Sequence, residues 1–556
     1  MTHELYEIRN YGSFRELMET CPAVYQGRDM FREKDGEGIK NTSCEEFADI
    51  VNSLGAALLE KGLADGKIAV IGETSVKWIA TYFAAVCGGG VIVPVDKELP
   101  EDEIANVLND SGAAAVVYSA TFKEVMESIK GSLPNVECFI GMAERDDASA
   151  FLSFDRLVEH GKTLDQTAYK NSAANEGQLS SLLYTSGTTG KSKGVMLTQK
   201  NILSAAAGEL RHMRPGKVCM SVLPIHHSYE FAHGIMMEIM GGVTICINDS
   251  PRYFLQNLQL FKPDMLTLVP LYVEMMYRKI WANAKANGGE EQLKQALQKS
   301  EELMAQGVDK RRELFKDIID ALGGNLKLII CGGAPLAAFY SKAFRDFGIL
   351  LLQGYGITEC SPLVSVNPDW ENKDGSIGLP ISCCRVTIRE EAEDGSGEIW
   401  VKGDNVMLGY YKNPQATAEV LQDGWFNTGD IGHLDEDGYL FITGRKKNLI
   451  VLSNGKNVYP EEIEGYLMRI PYIKEVVVYA PLADGLSETG LVAEIYPEET
   501  HAAQYTAEEL QKQLENDIAE VNKSLPGYKQ VHEFKLRDTE FEKTTKKSIK
   551  RFVIKH

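Results

Sequence analysis

The sequence predicts an α/β protein with more than one domain, and three observations carry that reading. At 556 residues the chain is too long for one ordinary hydrophobic core. Between residues 68 and 118, strand-length apolar runs alternate with helix-periodic segments, the pattern of a parallel sheet with covering helices. Beyond a strand at 439–443, short helical and strand runs make a separate α+β unit of about a hundred residues, near the usual domain size.

In order, 68–71 reads as a short buried strand. Trp78, Ile79, Tyr82, Phe83 and Val86 then recur at helical spacing. Residues 91–93 are the next strand, 101–108 a helix and 114–118 a strand. The uncharged run 78–95 is long enough to raise the question of a membrane span. Gly88, Gly89, Gly90 and Pro94 break it, so it reads as helix, turn and buried strand. Residues 1–10 lack the basic region and apolar core of a signal peptide.

The stretch Tyr184-Thr-Ser-Gly-Thr-Thr-Gly-Lys-Ser-Lys-Gly194 is the densest in chemistry. Glycines let backbone N–H groups turn toward one point and form an anion nest. Hydroxyls add donors and lysines add charge, so such a loop suits a polyphosphate. It is not the common P-loop, which needs four residues between its first glycine and its Gly-Lys pair. Gly187 and Gly190 leave two. Residues 195–197 read as a returning strand, and Thr198 as the N-cap of a following helix.

A strand at 220–223 delivers His226 and His227 to its end. Residues 266–269 read as strand and 271–280 as helix. Residues 287–323 form a charged helical segment with an apolar face of Leu314, Phe315, Ile318, Ile319 and Leu322, capped by Gly323. The strand 328–330 ends in Cys331-Gly332-Gly333-Ala334-Pro335. Two glycines there let a ligand approach backbone at a strand's carboxyl end. The strand 349–352 ends in Gln353-Gly354-Tyr355-Gly356-Ile357-Thr358-Glu359. Residues 397–403 alternate like a strand. Trp425-Phe-Asn-Thr-Gly-Asp430 follows a turn at Asp423-Gly424, and Arg445 lies in Gly444-Arg-Lys-Lys-Asn448. In the last unit, 458–470 reads as a helix with Pro460 near its first position. Strands follow at 476–479 and 491–495, and a polar-faced helix at 506–523.

Net charge of −21 and a pI near 5.1 argue against nucleic acid as a partner, because phosphate backbones need basic faces. The ten cysteines form no C-x-x-C pair, so neither zinc nor a disulfide framework is signalled. A reducing, cytoplasmic location is the simplest expectation. No amphipathic anchor is evident, and peripheral membrane contact is left open.

The 184–194 string resembles the phosphate loop of the adenylate-forming enzymes: acyl-CoA synthetases, luciferases and peptide-synthetase adenylation domains. The later motifs fall in that family's order, so the resemblance covers nearly the whole chain. The extra helix at 287–323 is most similar to the long-chain fatty acyl-CoA synthetase branch.

The resemblance implies a large N-terminal domain, residues 1–446, of doubly wound α/β subdomains with a β-rich subdomain. A small mobile α+β domain, residues 447–556, turns about Lys447. It implies Mg·ATP on Thr185, Ser186, Gly187, Thr188, Thr189, Gly190 and Lys193. Adenine and acyl group would lie at Gly332, Gly333, Ala334 and Pro335 and along Gln353, Gly354, Tyr355 and Gly356. Tyr355 would stack on adenine. Thr358 would donate to phosphate, and Glu359 would bind Mg2+, a hard ion that prefers oxygen. Asp430 would accept from the ribose hydroxyls, with Arg445 on the same ribose or the α-phosphate. His227 would help position the acyl carboxylate, Tyr229 would border the acyl pocket, and Gly455 would let the pantetheine arm of CoA reach the centre. His226 has no counterpart and receives no role.

The implied reaction activates a fatty acid to acyl-AMP with release of pyrophosphate, then transfers the acyl group to CoA. Three alternatives remain at this point. One is a fatty-acyl-AMP ligase that passes the group to an acyl carrier protein. Another is an aryl or amino-acid adenylating enzyme, and the last is a non-catalytic nucleotide- or acyl-binding protein. The tail departs from the family's Lys-Thr-x-x-Gly-Lys-Ile-x-Arg pattern. Here Glu542-Lys-Thr-Thr-Lys-Lys-Ser-Ile-Lys-Arg551 puts Ser548 at the catalytic lysine position and Lys547 on the usual glycine. Lys546, Lys547 and Lys550 are the candidates, and Lys547 is taken as catalytic.

Overall fold

The computed structural model describes residues 4–36, 38–145, 151–172, 176–185, 192–392, 395–452, 456–470, 472–483, 486–487, 490–543 and 549–551. Two large sheets dominate the N-terminal part. The first runs in the spatial order Gly409–Tyr410, Lys193–Thr198, Leu179–Thr185, Val91–Pro94, Lys67–Ile71, Ala115–Tyr118, Cys138–Gly141 and Phe151–Ser153. From Leu179–Thr185 to Phe151–Ser153 its pairings are parallel, as the alternation between 68 and 118 predicts. Lys193–Thr198 returns antiparallel to Leu179–Thr185, making the expected hairpin. Thr198 caps helix Gln199–Leu210 through a capping box with Asn201.

Helix Val76–Cys87 is set by Ser75, whose hydroxyl accepts from the Trp78 amide. It is buried all round rather than on one face, because it packs inside the first half of the chain. Trp78 and Tyr82 stack 6.0 Å apart, and Tyr82 lies 3.7 Å from the Phe231 ring.

The second sheet is ordered Leu379–Pro380, Leu363–Val366, Leu350–Gly356, Leu328–Cys331, Met265–Leu268, Val218–Ser221, Thr244–Ile247, Asp29–Asp35 and Gly38–Ser43. Its central pairings are parallel. The motif at 353–356 differs from the expected loop. Strand Leu350–Gly356 runs on through it, because Gly354 and Tyr355 pair antiparallel with Val366 and Ser365. The segment 287–323 is likewise three helices, Glu290–Ala305, Arg311–Leu314 and Lys316–Ala321. Gly307 at φ 76° ends the first, and buried Phe315 breaks the run between the other two.

A β-rich unit follows, with Cys384–Arg389, Gly397–Gly403, Trp425–Leu434 and Leu440–Arg445 paired antiparallel. Beyond it, Ile473–Tyr479, Leu491–Pro497 and Val531–Leu536 form a three-stranded sheet. Helices Pro460–Leu467 and Ala507–Lys523 bury Ile463, Leu467, Leu510, Leu514 and Ile518 in a core of their own. The first of these helices is shorter than 458–470, because Asn457–Val458 is extended and pairs with Ile450–Val451. No helix among the described residues is long and apolar enough to cross a membrane.

Candidate nucleotide and acyl site

The site gathers at the carboxyl ends of parallel strands from both sheets, where ligands bind in open α/β folds. The hairpin stem is described at Thr185 and Lys193, which face each other in register. Ser186, Gly187, Thr188, Thr189 and Gly190 lie outside the described residues. The stem is held from behind: the Tyr184 hydroxyl donates to Asp110 Oδ2 at 2.5 Å.

Glu359 is tied to this stem by a residue the sequence did not single out. Strand Gly409–Tyr410 pairs with Val195 and Met196, and the Tyr410 hydroxyl donates to Glu359 Oε1 at 2.8 Å. Lys193 Nζ lies 4.9 Å from the centre of the same Tyr410 ring. Tyr410 thus contacts the cation over its ring and the carboxylate at its hydroxyl. Burial pushes the Tyr410 hydroxyl up, and the Glu359 charge adds to that shift. The hydroxyl stays protonated and remains a donor.

The turn that carries Glu359 is rigid. Ile357 N–H donates to Pro362 O at 2.7 Å, and a Cβ on Gly356 would lie 1.7 Å from that oxygen. Only glycine fits there. Thr358 is buried, with its Oγ1 at 3.1 Å from Ser228 Oγ, so the Thr358 turn touches the loop that carries His227.

At the other end of this segment, the Tyr355 hydroxyl donates to Asp430 Oδ2 at 2.5 Å. Arg445 Nε lies 3.0 Å from Asp430 Oδ1, and the two residues are cross-strand partners. Burial pushes the Asp430 carboxyl up, while the Arg445 charge and the Tyr355 hydroxyl pull it back. Asp430 is placed by a braced turn. Its amide donates to Thr428 Oγ1, Gly429 takes φ 71°, and Asn427 bonds both the Gly429 amide and Glu398. The Tyr355 ring is nearly closed off, with 8 % exposure. Its hydroxyl is engaged by Asp430.

Strand Leu328–Cys331 ends at Gly332, against whose Cα the Tyr229 ring packs; a Cβ there would meet the ring at 3.3 Å. The Tyr229 hydroxyl donates to Leu268 O at 3.2 Å. Gly333, at φ 81°, with Ala334 and Pro335, is exposed beside this ring. Tyr410 thus links Lys193 and Glu359 beside Thr185, Tyr355 and Arg445 both contact Asp430, and the chain from Tyr355 through Thr358 to Glu359 joins the two groups. Gln353 is less direct, since its amide donates to Ser341 on helix Ala338–Asp346. Lys447 is held below the usual lysine range by partial desolvation and by neighbouring Arg445. Gly455, Lys546, Lys547 and Ser548 lie outside the described residues, and Lys550 Nζ is 3.8 Å from Glu542.

Behind His227 the chain enters a π-helical turn, Glu230–Met237, a form frequent at functional sites. It buries Glu230 against Ser221, and burial lifts the Glu230 carboxyl to about 8. His233 pairs there with Glu209, both fully buried. Neither feature has a sequence signal, because a π turn leaves no distinct period over eight residues.

The AMP-binding enzyme family model matches residues 20–411, and the AMP-binding enzyme C-terminal domain model matches 447–555. Curated relatives include a long-chain-fatty-acid–CoA ligase of Mycobacterium bovis, 31% identical over 82% of this chain and 78% of its own. A long-chain-fatty-acid–CoA ligase of Salmonella typhimurium is 32% identical over 84% and 82%, and long-chain-fatty-acid–CoA ligase 5 of Rattus norvegicus 30% over 80% and 70%. Among solved structures, the anthranilate CoA ligase AuaEII with anthranoyl-AMP aligns at TM-score 0.78, with 20% identity over 98% of this chain and 96% of that one. A Mycobacterium tuberculosis fatty acyl CoA synthetase aligns at 0.64, with 22% identity over 98% and 97%. With both family models matched in chain order, the second after the strand that carries Arg445, the chain belongs to the AMP-binding enzyme family.

Proposed function

We propose that this enzyme activates a long-chain fatty acid with ATP and transfers the acyl group to CoA. The observation that carries the reading is the joining of Glu359 and Asp430. Tyr355 and Glu359 sit on one strand-and-turn segment beside the hairpin stem, where Tyr410 holds Glu359 and Tyr355 holds Asp430 of strand Trp425–Leu434. A nucleoside triphosphate along that segment has its phosphates at the hairpin, its metal at Glu359 and its ribose at Asp430. The relatives' names support the fatty-acid class of substrate.

The residues fit Mg2+ as an ion carried by the nucleotide. Among the described residues no cluster of three or more His, Cys, Asp or Glu could hold a metal. A single carboxylate, Glu359, suits an ion that takes most of its ligands from phosphates and water. When bound, Mg2+ offsets charge on the departing pyrophosphate.

In the first half-reaction a carboxylate oxygen, oriented by His227, attacks the α-phosphorus. The bond from that phosphorus to the bridging oxygen breaks, and pyrophosphate leaves. Thr185, Lys193 and Thr358 hold phosphate oxygens, and Lys547 stabilises the charge that grows on the α-phosphate. In the second, the CoA sulfur attacks the acyl carbon, the carbon–oxygen bond to AMP breaks, and the thiol proton is released. The two chemistries share one site by rotation of residues 447–556 about Lys447, which withdraws the terminal lysine and brings Gly455 to the thiol path.

The test is ATP–pyrophosphate exchange across a series of fatty-acid chain lengths, followed by product analysis with CoA. Exchange that depends on long-chain acid, with an acyl-CoA product from CoA alone, is expected. Exchange without thioester would point to a carrier-protein acceptor, and no exchange at any length would overturn adenylation.

A further inference from the structure

His226 has no assigned role, yet the fold gives it a defined place. Asp96 lies two residues beyond strand Val91–Pro94 of the first sheet, and His226 five residues beyond Val218–Ser221 of the second. His226 Nε2 lies 3.1 Å from Asp96 Oδ1, with the side chains only 6% and 14% exposed. That contact joins the carboxyl ends of the two sheets. The His226 ring packs against the His227 ring, centroids 4.1 Å apart and planes at 55°.

We propose that Asp96 and His226 form a positioning pair that holds the His227 imidazole at the acyl carboxylate. The proposal rests on the adenylation reading above. Its physical basis is a chain of constraints. Asp96 Oδ1 also accepts the Glu98 amide at 2.8 Å, so the carboxylate is fixed from two sides. Burial pushes the Asp96 carboxyl up, but the His226 bond and charge and the Glu98 amide outweigh it and hold Asp96 well below the usual range. It is therefore an anion at working pH. A buried carboxylate 3.1 Å from Nε2 restricts how the His226 ring can turn.

The His227 backbone is already fixed. Its N–H donates to Pro224 O at 3.1 Å, and its carbonyl accepts the Phe231 N–H at 3.1 Å. The His226 ring packs against the His227 ring and limits the torsions that imidazole can adopt, which is how a supporting shell preorganises a binding group. Ser228, next in sequence, contacts Thr358, so the orientation of this loop is passed to the phosphate side of the site. His226 does not meet the reacting atoms in this account. It acts through His227.

The experiment is palmitate-dependent ATP–pyrophosphate exchange with the full-length enzyme. His226→Ala is expected to raise KM for palmitate about tenfold, with KM for ATP unchanged and kcat within about twofold. His226→Gln keeps an N–H donor for Asp96 and recovers most of that loss. Asp96→Asn preserves volume, shifts palmitate KM in the same direction, and carries the test if the alanine variant does not fold. Adding His226→Ala to His227→Ala gives little further loss, because the pair acts through one ring. An unchanged palmitate KM, an equal rise in ATP KM, or fully multiplicative losses in the double variant would each overturn the proposal. Absence of exchange in the unaltered enzyme would instead remove the adenylation reading itself, so the two failures are distinct.

Discussion

Changing Lys547 to alanine is expected to slow acyl-AMP formation by roughly a hundredfold to a thousandfold, the cost of losing one preorganised charge donor. Thioester formation from preformed acyl-AMP and CoA should stay within about threefold, because in the proposed mechanism this lysine is withdrawn before the thiol attacks. That split distinguishes a half-reaction residue from a structural one. The residues on either side of 544–548 are held by partners in the small domain. Lys543 pairs with Glu475, lies 2.8 Å from Glu540 and forms a β-bridge with Ile549. Arg551 pairs with Glu464. Both ends are thus anchored to the small domain, and Lys550 is engaged by Glu542. Lys550→Ala is accordingly expected to change either half-reaction by less than about threefold. A loss that follows Lys546→Ala instead moves the assignment by one residue. If neither variant slows adenylation, the terminal lysines are a solvated basic tail.

Asp430→Ala is the second large effect. Two hydrogen bonds from ribose hydroxyls to a carboxylate are worth roughly 1.5–3 kcal/mol each. Their loss should lower kcat/KM for ATP about a hundredfold or more, at the 1.4 kcal/mol that each factor of ten costs. The structure adds a secondary penalty. Removing the carboxylate strips buried Tyr355 and exposed Arg445 of their shared partner. Tyr355→Phe keeps the ring and the carboxylate and should cost about tenfold or less. The check is ATP kinetics in the exchange assay for both variants. A change below about threefold in Asp430→Ala would place the ribose elsewhere.

Much of this architecture is legible in the chain because it is local. The β-α-β alternation at 68–118 and the hairpin that returns after Gly194 follow from period and glycine placement. So does the Thr198 cap. What the sequence does not disclose is long-range. Strand Asp29–Asp35 crosses to pair with Thr244–Ile247 in the second sheet, which no local pattern specifies. Tyr410 reaches Glu359 from 51 residues away, and Asp96 meets His226 across the interval between two sheets. Asp96 did leave one signal, a carboxylate just past a parallel strand's carboxyl end. The 353–356 motif was recognisable by residue type, but its conformation depends on Leu363–Val366, whose pairing extends the strand. The site was therefore readable as chemistry before it was readable as geometry.

Adenylation requires that a carboxylate oxygen attack the α-phosphorus of ATP. Fatty acid labelled in its carboxyl group with a heavy oxygen isotope tests this in one mass spectrum. After a full turnover with ATP and CoA, one labelled oxygen should appear in AMP and none in pyrophosphate. Label in orthophosphate, with ADP as the nucleotide product, would mean attack at the γ-phosphorus and would contradict the account.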